Sequence, residues 1–487
     1  MLDIGINGSL QLGVQSLNAQ QTVINTIGNN IANVNTPGYA DQRANLATDV
    51  ISNEYGSEDL GVSVSNIESL RSPLLDTLVQ QSLGNQGFAD NQASLTSTVQ
   101  SSLGEQFSSA GTTTSSGVVS GSGPIQDAMS NFFSALQSLA STPSDATSRQ
   151  VVVQDAQALS TAFNGAYQRM QQSQSDIAAD ATSITTQVNQ LSQSIAALNE
   201  QITQIQAASG TSPNNLCDTR QADVETLSGL VNITTTTQPN GAINIALADN
   251  PTVALVSGSK SNGTGGTQSL SASYNATASV PLTISGSTTG ALGTGVPSGG
   301  SLGADLNVAN DVIGSPGADG NTGILGQLDS VANQLISQVN TQNKAGFDLN
   351  GNAGGAIFSG SGAGDIAVVA NVANNPSLIA AGNGSGPLDG SNAEAMAQIQ
   401  TQAAITPAIQ TMVSNLGQTV STAESNQTTM DQVTQQLQTQ RNSVSGVSID
   451  QEMTNLISFQ QSYDASARFI TIISNLYNTL IEKTGVT

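Results

Sequence analysis

The stretch Asn29-Asn30-Ile31-Ala32-Asn33-Val34-Asn35-Thr36-Pro37-Gly38-Tyr39 marks the end of a helix and the start of something else. Before it, Leu10, Val14, Leu17, Ile24, Ile27, Ile31 and Val34 recur in steps of three, four or seven, which is the apolar stripe of one helix face. Pro37 stands where a helix cannot continue, and Gly38 where a type II turn wants a positive φ. The far end of the chain repeats the theme. Ile449, Met453, Leu456, Tyr463, Ala467, Ile470, Ile473, Tyr477 and Leu480 form a second stripe, with Gln460 filling the long gap. Each end is thus an amphipathic helix that cannot bury its stripe alone.

Between the ends lie two kinds of sequence. Residues 124–208 and 396–445 are rich in Gln, Ala and Ser with helical periods, and residues 325–345 give another helix. Ile184, Val188, Leu191, Ile195, Leu198, Ile202 and Ile205 step 4-3-4-3-4-3, a coiled-coil-grade seam whose flanks carry Gln and Asn where Glu and Lys are usual. Residues 226–320 and 346–395 instead hold short β-type runs, at 231–233, 242–247, 253–256, 280–284 and 366–372, separated by Gly, Asn, Pro and Ser. The Ser/Thr/Gly stretch 257–301 reads equally as a flexible linker or as turn-rich surface, and residues 109–123 as an exposed loop. A length of 487 residues, at roughly 150 per domain, suggests about three domains.

The expected fold class is therefore α+β: a discontinuous, multi-domain chain with a terminal α-helical coiled-coil stem, its N- and C-terminal helices paired, and an inserted β-rich domain. Residues 1–45 with 445–487 form the terminal helical core. Residues 46–225 with 320–345 and 396–444 form a helical stem, and 226–319 with 346–395 a β-rich outer domain.

Composition excludes several chemistries. The chain has no His, no Trp and one Cys; only 9% of it is charged, yet 34 acids against 10 bases leave −24. Ordinary domains carry about 25% charged residues, so polarity here comes from Ser, Thr, Asn, Gln and Gly. Without His there is no Ser/His/Asp triad, no imidazole ligand and no usual pH switch. Ten dispersed bases in so acidic a chain repel phosphates and anionic lipid, which argues against nucleic-acid and polybasic membrane partners. The lone Cys217 forbids an internal disulfide. The N-terminus has no basic segment followed by an apolar run, so it does not read as a cleavable secretory signal, and no window is apolar enough for a membrane span.

Tests for a catalytic or metal site fail. Asp348-Leu349-Asn350-Gly351-Asn352-Ala353-Gly354 begins like a calcium loop, but its sixth position is Ala353 and its twelfth Ser359, so it reads as a turn. Residues 360–365 lack the dinucleotide fingerprint. Pairs such as Asp450/Glu452 or Asp176/Asp180 suffice in number for glycoside hydrolysis, but the four-residue pair Asp176/Asp180 lies on one helix face, where a solvated surface is expected. No catalytic residue, metal ligand or cofactor is expected, and the chain does not read as an enzyme.

The 29–39 segment resembles, nearly residue for residue, the N-terminal signature of bacterial flagellar rod, hook and hook-associated proteins, and Gly446 to Arg468 resembles the matching C-terminal signature. Within that superfamily, Phe132-Phe133-Ser134-Ala135-Leu136 through Leu139, with Pro143 and Arg149, is similar to the hook-associated protein 1 family. So are Asn215-Leu216-Cys217-Asp218-Thr219-Arg220, which varies the family's usual Asp-Gln-Arg core, and Gly346-Phe347-Asp348-Leu349-Asn350-Gly351. The likeness covers 1 to about 250 and 320 to 487.

The resemblance implies a structural subunit at the junction between hook and filament, a ring of copies at the distal hook end. It implies export through the flagellar type III apparatus, a cytoplasmic chaperone on the C-terminal helix before export, and an extracellular destination. Its neighbours would be the hook protein and the third hook-associated protein. The assembly residues it implies are Asn29, Asn30, Ile31, Asn33, Asn35, Pro37, Gly38 and Tyr39, with Leu456, Gln460, Gln461, Tyr463 and Ala467 on the C-terminal helix. By residue chemistry alone, the Asn cluster equally suits bonding across helices or capping a solvated helix end. A hook or distal-rod protein is the nearest rival, and a secreted glycan-binding or glycan-cleaving protein a more distant one.

Overall fold

The computed structural model describes residues 3–36, 38–53, 56–104, 106–107, 121–261, 267–287, 290–291, 298–315, 323–384, 386–402 and 405–484. Most of the loop expected at 109–123 lies outside these residues, as does Pro37. The helices are α1 (Asp3–Asn33), α2 (Pro73–Leu103), α3 (Pro124–Ser141), α4 (Ala146–Ser209), α5 (Asn214–Leu230), α6 (Gly300–Asn307), α7 (Ile324–Ala345), α8 (Ala370–Asn374), α9 (Ser391–Gln402), α10 (Ile405–Ser445) and α11 (Ile449–Thr484). The strands are β1 (Gln42–Asn53), β2 (Gly56–Ser69), β3 (Gln106–Phe107), β4 (Gly121–Ser122), β5 (Ile233–Thr237), β6 (Ile243–Leu247), β7 (Ala254–Ser257), β8 (Lys260–Ser261), β9 (Leu270–Tyr274), β10 (Leu282–Gly286), β11 (Gly290–Ala291), β12 (Phe358–Ser359) and β13 (Ala367–Val368). The class is α+β and mostly helical.

α1 ends where the sequence says. The Tyr39 N–H bonds to the Thr36 carbonyl at 3.2 Å, and Gly38 between them has φ 78°. α1 then packs antiparallel along α11: Gln20 and Ser16 meet Ser466, and Asn30 meets Glu452. Gly13 lets the helices close, since a Cβ there would lie 2.6 Å from Ile470. The third member of this terminal arm is a long hairpin, β1 with β2, paired from Gln42↔Ser69 to Asn53↔Gly56 and laid against α1. Residues 42–69 were expected partly in the helical stem. Val62 and Val64 alternate as a strand requires, but a strand packed on one helix needs no strong alternation on its other face.

The remaining chain forms the body. Pro73 and Pro124 open α2 and α3 at positions that need no N–H donor, and Asp145 caps the start of α4 by accepting from the Ser148 N–H at 2.8 Å. α4 has 64 residues, about 95 Å at 1.5 Å per residue. Its seam buries Ile184, Val188, Ile195 and Ile202, leaves Leu191 and Leu198 half-buried and exposes Ile205. Along this stretch Asn189 bonds to β9, Ser194 to Asp223 of α5 and Asn199 to β6, which sets it against α5 and two small antiparallel sheets, β5-β6-β7-β8 and β11-β10-β9. A heptad stripe specifies one buried face and is silent on what covers it. α2 and α10 pair antiparallel through Ser82–Thr434 and Gln86–Asp431. Phe132 of α3 sits at 0% exposure with its ring edge-on to Phe358, centroids 5.5 Å apart.

Two other expectations change. Residues 300–313, expected in the β-rich insertion, form α6 and a π-helical turn, Val308–Ile313. The described residues of 346–395 hold the two-residue strands β12 and β13, α8, a 3-10 turn at Pro376–Leu378 and the start of α9. In the 257–301 stretch, the described residues form the end of β7, β8 to β11, the loops beside them and the start of α6.

A recurring device ties helices to strands. Asn30, Asn189, Asn199 and Asn340 each accept from the backbone N–H and donate to the C=O of one strand residue: Gln42, Leu270, Ile243 and Phe358 respectively. Asn310 in the π turn does the same to Leu282. A carboxamide has the donor and acceptor of a peptide group, so one Asn side chain substitutes for a missing neighbouring strand. This is where an amide-rich, charge-poor composition goes.

Candidate assembly site

The terminal signatures converge where the arm meets the body. Asn30, 1% exposed, stands at the centre. Its amide nitrogen reaches the Asp41 carboxylate at 2.6 Å, the Gln42 carbonyl at 2.9 Å and the Glu452 carboxylate at 3.0 Å. Its oxygen accepts from the Tyr39 hydroxyl at 2.9 Å and the Gln42 N–H at 3.1 Å. One buried amide therefore binds the turn, β1 and α11 together, with every polar atom satisfied. Burial, with the nearby charges of Asp218, Asp41 and Glu452, pushes the Tyr39 hydroxyl up to about 12, so it stays a donor. Burial, followed by the charge of Glu452, raises the Asp41 carboxyl above the usual range.

The other predicted residues divide. Asn33 donates to the Asn29 carbonyl and accepts from the Thr36 hydroxyl, a local helix-end role. Asn29 and Asn35 are exposed and Ile31 is half-buried. Leu456, Tyr463 and Ala467 are half-buried on α11, whereas Gln460 and Gln461 face solvent. Asn35, Thr36, Gly38 and Tyr39 line one wall of a cleft of about 500 Å3 whose other wall includes Gln438, Arg441 and Asn442 of α10. The outer face of α11 is apolar and open: Ile457 is 52% and Ile472 58% exposed, with Met453 and Leu476 also exposed.

Below Asn30 lies a charged layer that the sequence reading missed as a site. Arg71 donates to the Asp218 carboxylate of α5 at 2.9 and 3.0 Å, to the Gly38 carbonyl, and to Asp76 of α2. Arg441 of α10 donates to Glu225 of α5 and lies 3.7 Å from Asp76. Burial holds Asp76 and Asp218 above the usual carboxylate range, against the lowering pull of their arginines. In a chain with ten bases, an Arg beside a helix start is a rare event, and that scarcity was the available signal.

The other quoted motifs have structural employment. Arg149, 2% exposed, donates to the Pro143 carbonyl at 2.9 Å and the Ile379 carbonyl at 2.6 Å. Arg220 donates to the Asn199 oxygen and the Gly241 carbonyl, which orients the Asn199 staple. Asp348 accepts from the N–H groups of Asn350 and Asn352, both at 2.8 Å, closing the turn on itself. Cys217 is half-buried, 3.5 Å from the Ser212 hydroxyl. Among the described residues, no group of three or more Cys, Asp or Glu is placed to hold a metal ion, and no helix is long and apolar enough to cross a membrane.

A family model described as the flagellar hook-associated protein FlgK helical domain matches residues 117–358. Models of the flagella basal body rod protein and of the flagellar basal body rod FlgEFG protein C-terminal region match 10–39 and 438–482. Flagellar hook-associated protein 1 of Bacillus subtilis is 27% identical, over 98% of this chain and 98% of its own length. Its Escherichia coli counterpart is 26% identical, over 96% of this chain and 98% of its own. The solved structure of the flagellar hook junction protein FlgK from Burkholderia pseudomallei superposes with a TM-score of 0.61 at 17% identity, covering 76% of this chain and all of that one, a likeness of fold. Two rod-type termini folded into one arm, around a hook-associated helical domain and with near-full-length relatives of one name, place this chain in the flagellar hook-associated protein 1 family.

Proposed function

We propose that this chain is the structural subunit joining hook to filament in the bacterial flagellum, exported by the flagellar type III apparatus and assembled as a ring of copies at the distal hook end. The observation that carries the reading is the pairing of both terminal signatures in one arm whose outer α11 face is apolar and open. An apolar stripe of that length is a surface for burial against other subunits. Residues 1–45 with 445–487, together with the rest of the 42–69 hairpin, are the core that packs among neighbours; 70–225 with 320–345 and 396–444 make a helical stem, and 226–319 with 346–395 the outer domain.

The assembly contacts fall on Asn29, Asn30, Ile31, Asn33, Asn35, Pro37, Gly38 and Tyr39 and on Leu456, Gln460, Gln461, Tyr463 and Ala467. Asn30 and Tyr39 act by shaping the arm; the exposed Asn29, Asn35, Gln460 and Gln461 offer amides to neighbours. The hook protein lies on one side and the third hook-associated protein on the other, and a cytoplasmic chaperone covers α11 before export. The protein has no catalytic role, cofactor or nucleic-acid partner.

Purified chain added to hooks isolated from a strain lacking it should bind at their distal ends, seen by gold labelling in the electron microscope. Binding along hook sides, or none, would contradict the reading.

A further inference from the structure

The arm and the body are joined covalently at two places, residues 70–72 between β2 and α2 and residues 446–448 between α10 and α11. Among the described residues, α11 makes its extended packing with α1, and α1 packs on α11 and the hairpin. The arm is therefore held to the body at the joint and at the base of the hairpin, where Asn214 of α5 donates to the Ile67 carbonyl at 2.9 Å and Gln42 donates to the Asn215 side-chain oxygen at 3.0 Å.

Three interactions lock that joint. The Asp41 N–H bonds to the Ser445 carbonyl and the Leu70 N–H to the Asp41 carbonyl, both at 2.8 Å, so one residue of the turn stitches the two crossings together. Gly38 rests on α5, its Cβ position 3.5 Å from Ala222. Arg71, inside the first crossing, grips the Gly38 carbonyl with the guanidinium that also holds Asp218 and Asp76.

We propose that Arg71 is the positioning residue of this joint: by clamping the Gly38 turn to α5 and α2 at once, it fixes the angle at which the terminal arm leaves the body. The planar fork of a guanidinium suits three acceptors in different directions, and a lysine ammonium does not reproduce it. Arg441, bonded to Glu225 and close to Asp76, braces the second crossing through the same carboxylate. A subunit that docks by its arm and carries its body outward needs that angle set before assembly. The inference rests on the junction reading for its purpose but not for its measurement.

The test uses the full chain with Cys217→Ser and spin labels at Ser183→Cys on α4 and Ser462→Cys on α11, both exposed positions. Pulsed electron–electron resonance on the monomer should give one narrow distance in the parent. Arg71→Ala should lose that single distance for a broad distribution while the melting temperature of the body holds, and Arg71→Lys should fall between. Asp218→Asn removes the clamp from its other side and should broaden the distance too, which covers the case of an Arg71→Ala protein that does not fold. Arg149→Ala, far from the joint, should lower the melting temperature and leave the distance narrow. A distribution as narrow as the parent's in both joint variants overturns the proposal. Failure of the unmutated chain to bind hook ends would instead overturn the junction reading.

Discussion

Asp305 offers a quantitative test of how the body is built. It is 0% exposed on α6, among α2 and α4; one carboxylate oxygen accepts from the Asn91 amide at 2.8 Å, and the other has no hydrogen-bond partner among the described residues. Burial, reinforced by the charge of Asp180, raises its carboxyl from 3.8 to about 8. The folded pKa exceeds the unfolded one, so the folded state binds the proton more tightly. Ionisation then costs stability progressively from about pH 4 up to about pH 8, where the cost levels off. At 1.36 kcal/mol per unit, the penalty is about 2 kcal/mol at pH 5 and about 4 kcal/mol at pH 7. Asp305→Asn has the shape of the neutral acid and keeps an oxygen for Asn91, so it removes the penalty. Urea unfolding of parent and variant at pH 5, 7 and 9 should show the variant more stable by a margin that widens from pH 5 to 7 and then flattens. Parallel pH dependences, or a variant less stable at pH 9, would refute the account of Asp305 as a buried, neutral acid.

Asn30→Ala should cost about 2–3 kcal/mol at the arm joint, since it strands buried partners on three segments, and it should appear as faster amide exchange at 39–45 and 445–455. Arg149→Ala removes the donor from two buried carbonyls and should destabilise the body by about 2–4 kcal/mol in a thermal melt. Ile472→Asp, on the open face of α11, should change monomer stability by no more than about 0.5 kcal/mol yet abolish binding to hook ends in a sedimentation assay. Loss of monomer fold in that last variant would mean the face is already buried.

What the sequence made legible was local. The α1 stripe, the turn at Thr36–Tyr39 and the helices at α7 and α11 follow from spacing and from Gly and Pro, which act on their own neighbours. The strands β6, β7 and β10 fall on the expected apolar runs. What was hidden was partnership. Leu46, Val62 and Ile67 do not reveal that they belong to a hairpin on α1, and the Ile184–Ile202 seam does not reveal that sheets cover it. The Asn staples were invisible for a different reason: in an amide-rich chain, Asn199 has no local mark separating it from a solvated Asn, because its partner Ile243 is 44 residues away. Arg149 and Arg220 stand in motifs that carry the family resemblance, whereas Arg71 was missed, although in a chain with ten bases its scarcity was the available mark. The same scarcity explains how the arm can depend on one amide and one arginine.

The most direct measurement of the central claim is the phenotype of a strain from which this chain is deleted, with hooks and filaments counted by electron microscopy and flagellin assayed in the medium. A hook–filament junction subunit predicts intact hooks, no filaments and unpolymerised flagellin released outside, all restored by the intact gene. Filaments still growing on their hooks, or hooks lost together with filaments, would contradict it.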